Sequence, residues 1–149
     1  MKTYLFLILA VAWIACGSPS SDSTTGSNES TSTRIDDGKG VGEIKQVTLT
    51  NPLNQQMVES GKAIYEMKCA ACHRLTDQRV VGPGFLGVTE RRKPEWIMNM
   101  ITNVEVMLEE DAAARALLEE CLTRMPNQNV SVGDARELLE FLRQNDGEE

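Results

Sequence analysis

Apolar and polar positions divide the chain into three regimes. Tyr4 to Ile14 is an unbroken, largely apolar run of eleven residues. Gly17 to Thr33 carries no large apolar side chain, and eleven of its seventeen residues are Ser or Thr. From Val41 to Leu49 the pattern is mixed (Val41, Ile44, Val47, Leu49) and reads as an extended lead-in. Beyond it the apolar residues recur at helical spacing. Asn51-Pro52 is a cap candidate before a proline at a first helical position, and it predicts a helix from there to about Lys68. Gly82-Pro83-Gly84 and Gly87 are turn signals. Pro94 opens a second helix, with Trp96, Ile97, Met100 and Ile101 on its apolar face. The Ala- and Glu-rich stretch Glu109 to Leu122 predicts a third helix. After the loop 123–129, Ser131-Val132-Gly133-Asp134 resembles a capping box. Ala135, Leu138, Leu139 and Leu142 then follow at i, i+3, i+4 and i+7. No segment alternates as a strand would, so the expectation is an all-α fold.

The first two regimes predict export and reach. An apolar run of eleven residues behind Lys2 falls short of the ~20 needed to span a bilayer and fits a secretory signal peptide instead. It ends Ala15-Cys16-Gly17-Ser18, which resembles the bacterial lipobox, although Trp13 departs from that pattern. The resemblance implies that 1–15 is removed, that Cys16 is acylated, and that the product is an exported lipoprotein on the periplasmic side of a membrane. Residues 16–40 form a Ser/Thr-rich tether that cannot repay the entropy of folding. The lead-in occupies 41–52, a helical domain 53–146 and a short tail 147–149.

Composition narrows the chemistry. The chain has 15 basic and 22 acidic residues, so its net charge of −7 speaks against nucleic-acid binding. A single histidine excludes every site needing two imidazoles. Aromatic residues make up only 5% of the chain, a thin supply for the core of a domain this small. Such domains usually draw on disulfides, metals or a cofactor.

One motif answers that need. Cys69-Ala70-Ala71-Cys72-His73 is C-x-x-C-H, the attachment pattern of c-type haem. Two thiols three residues apart share a face of one helical turn, so both can add to the vinyl groups of one porphyrin. The adjacent imidazole can then reach the iron. A thioredoxin-like redox pair would need a βαβ setting, which the pattern lacks. A zinc site would need a second ligand pair, yet Cys121 stands alone and Cys16 is assigned to lipid. A Cys69–Cys72 disulfide would leave His73 without a role.

From about Asn54 to Asn145 the chain resembles small monohaem class I cytochromes c. The matching residues are Gly61-Lys62-Ala63-Ile64-Tyr65, the C-x-x-C-H run, Val81-Gly82-Pro83, Met125-Pro126 and Leu138-Leu139-Glu140-Phe141-Leu142. The resemblance implies four to five helices around one covalent haem, with the first and last helices crossing at Gly61 and Tyr65 against Phe141. It implies that the Pro83 carbonyl takes a hydrogen bond from His73, the proximal iron ligand. With the one histidine spent, the distal ligand is expected at Met125, which alone among the methionines combines a loop, a following proline and a place before the last helix. His/Met ligation gives a high-potential iron. Trp96 is a candidate propionate contact, and Arg91-Arg92-Lys93 a basic island for propionates or a partner. Cys121 reads as a free thiol.

The expectation is a monomeric electron-transfer protein and not an enzyme. Held at a membrane by its lipid anchor, it would take electrons from a donor complex and pass them to a terminal oxidase or reductase, a copper-containing nitrous oxide reductase among the candidates. A five-coordinate haem enzyme or gas sensor, or a subunit docked to a larger redox complex, is the alternative.

Overall fold

A computed structural model describes residues 36–149. The expected signal segment, Cys16 and the expected tether up to residue 35 lie outside them. Six helices appear among the described residues and no strand beyond an isolated pairing of His73 with Arg79. They are α1 (Gln55–Lys68), α2 (Val88–Arg91), α3 (Pro94–Thr102), α4 (Val104–Glu110), α5 (Ala112–Cys121) and α6 (Val132–Asn145).

The frame is the crossing of α1 and α6. Its start differs from the sequence expectation: Asn54, not Asn51, caps α1, its side chain accepting from the backbone N–H groups of Gln56 and Met57 at 3.1 and 3.2 Å. The helix begins late because Leu53 turns into the core. At the other helix, the Ser131 hydroxyl accepts from Asp134 N–H at 3.1 Å, as the capping pattern predicts. Ala135, Leu138, Leu139 and Leu142 are buried along one face of α6. The backbones meet at Gly61, where a Cβ would stand 2.1 Å from the Glu137 carbonyl oxygen, so only glycine fits. One turn on, Tyr65 packs on Phe141 with ring centroids 5.6 Å apart.

The predicted third helix is two. Asp111 leaves helical geometry (φ −92°, ψ 123°) and caps α5, its carboxylate accepting from Ala114 N–H at 2.8 Å. The same carboxylate oxygen accepts from the Trp96 indole at 3.0 Å. The four-residue α2, absent from the sequence reading, is held by Asp146, which accepts from Gly87 and Thr89 N–H at 2.6 and 2.9 Å.

The lead-in is built into the domain. Asn99, wholly buried on α3, accepts from Ile44 N–H and donates to the carbonyls of Ile44 and Lys39. Lys39 and Gly40, placed in the tether by composition, therefore lie against α3, with Lys39 also 3.4 Å from Glu95. Further on, fully buried Glu140 of α6 gathers the Thr50 hydroxyl, the Asn54 N–H, Arg136 and Arg143 around its carboxylate.

Candidate functional site

The C-x-x-C-H residues form the turn that ends α1. Cys69 is its C-cap, and its carbonyl accepts from Cys72 and His73 N–H at 3.0 and 2.9 Å. This tight turn leaves Cys69 nearly buried while Cys72 and His73 face a cavity of about 450 Å³. Burial pushes the Cys69 thiol up to about 11, so it stays protonated. No disulfide links Cys69, Cys72 or Cys121 among the described residues.

The loop after the motif fixes the imidazole. Cys72 accepts from Gly82 N–H at 3.0 Å, which brings Pro83 against the ring. His73 Nδ1 lies 2.9 Å from the Pro83 carbonyl. A carbonyl only accepts, so Nδ1 carries the proton and Nε2 keeps its lone pair. Burial lowers the His73 pKa, the Pro83 bond opposing it, so the ring is held as a neutral donor. Two further contacts set its plane. Phe85 stacks on it at 4.5 Å between centroids, and Gly82 runs so close that a Cβ there would be 2.3 Å from His73 Cε1. Tyr65 completes the support, its hydroxyl donating to the His73 carbonyl at 2.8 Å.

Met125 lines the same cavity from the loop between α5 and α6, half-buried, with Cys121 also on the wall. Among the described residues the remaining lining is mostly apolar and holds three arginines, Arg91, Arg92 and Arg124, but no carboxylate. Arg92 sits over the Trp96 ring at 4.6 Å. Its guanidinium has no hydrogen-bond or ion-pair partner among the described residues. Trp96 therefore departs from its expected role: its N–H is taken by Asp111, and what it offers the cavity is a platform for Arg92. The sequence reading missed Asp111 and Phe85, which carry no motif. It singled out Arg92 only as part of a charge run.

These residues fit a porphyrin bearing iron and two carboxylates. An apolar cavity exposes an imidazole lone pair and a thioether, the motif supplies two thiols, and an unpaired guanidinium meets anionic groups. Among the described residues no cluster of His, Cys, Asp or Glu could hold a bare metal ion.

Comparison with known proteins agrees with this geometry. The family model described as cytochrome c matches residues 58–146. A solved cytochrome c from Rhodothermus marinus is 36% identical, with a TM-score of 0.68, over 70% of this chain and 90% of that one. An engineered form of the Rhodothermus marinus protein matches over the same shares at 35% identity and a TM-score of 0.67. The engineered form bound to a carbene intermediate gives 36% and 0.65, again over 70% of this chain and 90% of that one. The search of curated proteins gives no match.

Proposed function

The chain belongs to the cytochrome c family and carries covalent haem c with its iron, and on that premise we propose that it is a membrane-tethered one-electron carrier with His/Met ligation. When bound, the haem supplies a ferric/ferrous couple that accepts and returns one electron. Cys69 and Cys72 hold the group through thioethers. His73 presents Nε2 to the iron because Pro83 fixes its tautomer and Phe85 and Gly82 fix its plane. Met125 would give the iron a neutral thioether, which favours the reduced state. Arg92, steadied on Trp96, would pair with a propionate. The mostly apolar walls would limit water around the group.

The observation that carries this reading is an imidazole with Nδ1 locked on Pro83 and Nε2 open to an apolar cavity that Met125 also lines. The enzyme or gas-sensor alternative is less well supported. Among the described residues no carboxylate lines the cavity, and the chain has no second histidine to move a proton on the distal side. Carbon monoxide binding separates the two: the carrier in its ferrous form binds it slowly and weakly, whereas fast, tight binding with a high-spin ferric spectrum sinks the carrier assignment.

The setting follows from the N-terminal segment. We infer that the chain is exported, acylated at Cys16 and held on the periplasmic side of a membrane. There the anchor raises its effective concentration near a donor complex and a terminal oxidase or reductase, nitrous oxide reductase among the acceptors. The domain acts as a monomer. Replacing Cys16 with Ser should move the protein from the membrane fraction to the soluble one, and retention in the membrane would refute the anchor.

A further inference from the structure

The segment bearing Met125 is held in an unusual way. Between Leu122 N–H, which still bonds to Leu118, and Ser131, which starts α6, residues 123–130 make no backbone–backbone hydrogen bond with any described residue. Among the described residues their polar ties to the rest of the fold are three, all through side chains of other elements or their own. Arg124 reaches Glu109 at 3.4 Å, Asn127 donates to Glu105 at 3.2 Å, and Lys68 of α1 donates to the Gln128 carbonyl at 3.0 Å. Glu105 and Glu109 are four residues apart on α4 and so share one face of that helix. Their two partners stand immediately either side of Met125-Pro126. The α4 face thus grips the loop on both flanks of the methionine.

We propose that Glu105 and Glu109 are positioning residues that clamp the 123–129 loop and set how readily Met125 gives up its place to an outside ligand. The inference rests on the reading of Met125 as the distal ligand. Its physical basis is the absence of a backbone ladder to the described residues: opening this loop breaks no secondary structure, so beside the packing of Met125 and Val130 the side-chain ties bias the open fraction. An outside ligand binds only the open form, and its apparent affinity scales with that fraction. Exposed ties of this kind are individually weak, so the effect is a modest, graded one and not a loss of the fold.

The test uses the ferric holoprotein titrated with imidazole. Relative to wild type, E105A/E109A should bind imidazole roughly three- to tenfold more tightly. E105Q, which keeps an oxygen to accept from Asn127, should stay close to wild type. E119A/E120A removes the same two charges from α5 without touching a loop contact, and should also stay close. Helical circular dichroism of each variant confirms the fold before titration. Unchanged affinity in E105A/E109A, or an equal gain in E119A/E120A, overturns the clamp. A wild-type ferric spectrum lacking the methionine-to-iron band overturns the Met125 reading itself, and the clamp with it; a normal band with unchanged affinity overturns the clamp alone.

Discussion

Removing the charge of Glu140 should loosen the whole α1–α6 frame, and by an amount the structure sets. The carboxylate is 0% exposed and accepts from Thr50 Oγ1 at 2.5 Å, Asn54 N at 3.0 Å, Arg136 at 2.5 Å and Arg143 at 3.0 Å. Burial alone would raise its pKa, but the Thr50 hydroxyl, the Asn54 N–H and the Arg136 guanidinium hold it at about 2 against an ordinary value of 4.5. At about 1.4 kcal/mol per pH unit this gap is worth about 3 kcal/mol. Because the folded-state pKa is depressed, that stability is fully present above pH 4.5 and is lost as the pH falls toward 2. Glu140→Gln keeps the shape and removes the charge. Urea unfolding of the holoprotein should then show a loss of about 3 kcal/mol at pH 7, consistent with the cost of leaving buried arginine partly unpaired. The difference between wild type and variant should shrink steadily below pH 4.5. A loss at pH 7 under about 1 kcal/mol, or a difference that does not depend on pH, would refute the reasoning.

Two further substitutions probe the site. Gly82→Ala places a Cβ where the ring now lies, 2.3 Å from His73 Cε1, so the imidazole must turn and lose its bond to Pro83. The ferric electron paramagnetic resonance g-values should shift, and unchanged values would contradict the described packing. Arg92→Gln removes a positive charge from the cavity wall and so disfavours the electron-rich state. The midpoint potential should fall on the order of tens of millivolts, with Arg92→Lys losing less, and a rise would be the wrong sign.

Local chemistry explains which features were legible in the sequence. The C-x-x-C-H turn, the Ser131 cap, Pro94 at the head of α3 and the apolar stripe of α6 depend on residues within one or two turns of each other. The Gly61 crossing was available only through family resemblance, since nothing near it in sequence says that Glu137 will lie against it. What stayed hidden depends on distant partners. Glu109 to Leu122 has helical propensity throughout, yet Asp111 breaks it because Trp96, fifteen residues earlier, offers an N–H to the same carboxylate that caps α5. That bond also takes from Trp96 the propionate contact expected of it. The mixed pattern of the lead-in predicts only an extended segment, because its clamping by Asn99 joins residues 55 apart. Asn54 displaced Asn51 as cap because the burial of Leu53 is a tertiary matter.

The central claim is that His73 and Met125 face one iron across the cavity. The most direct measurement is the ferric absorption spectrum of the purified holoprotein beside that of Met125→Ala, with covalent haem counted in each. The account predicts a low-spin wild type with the weak red methionine-to-iron charge-transfer band. In the variant the band should be gone and the covalent haem retained. A high-spin wild type, or a band that survives in Met125→Ala, would contradict it.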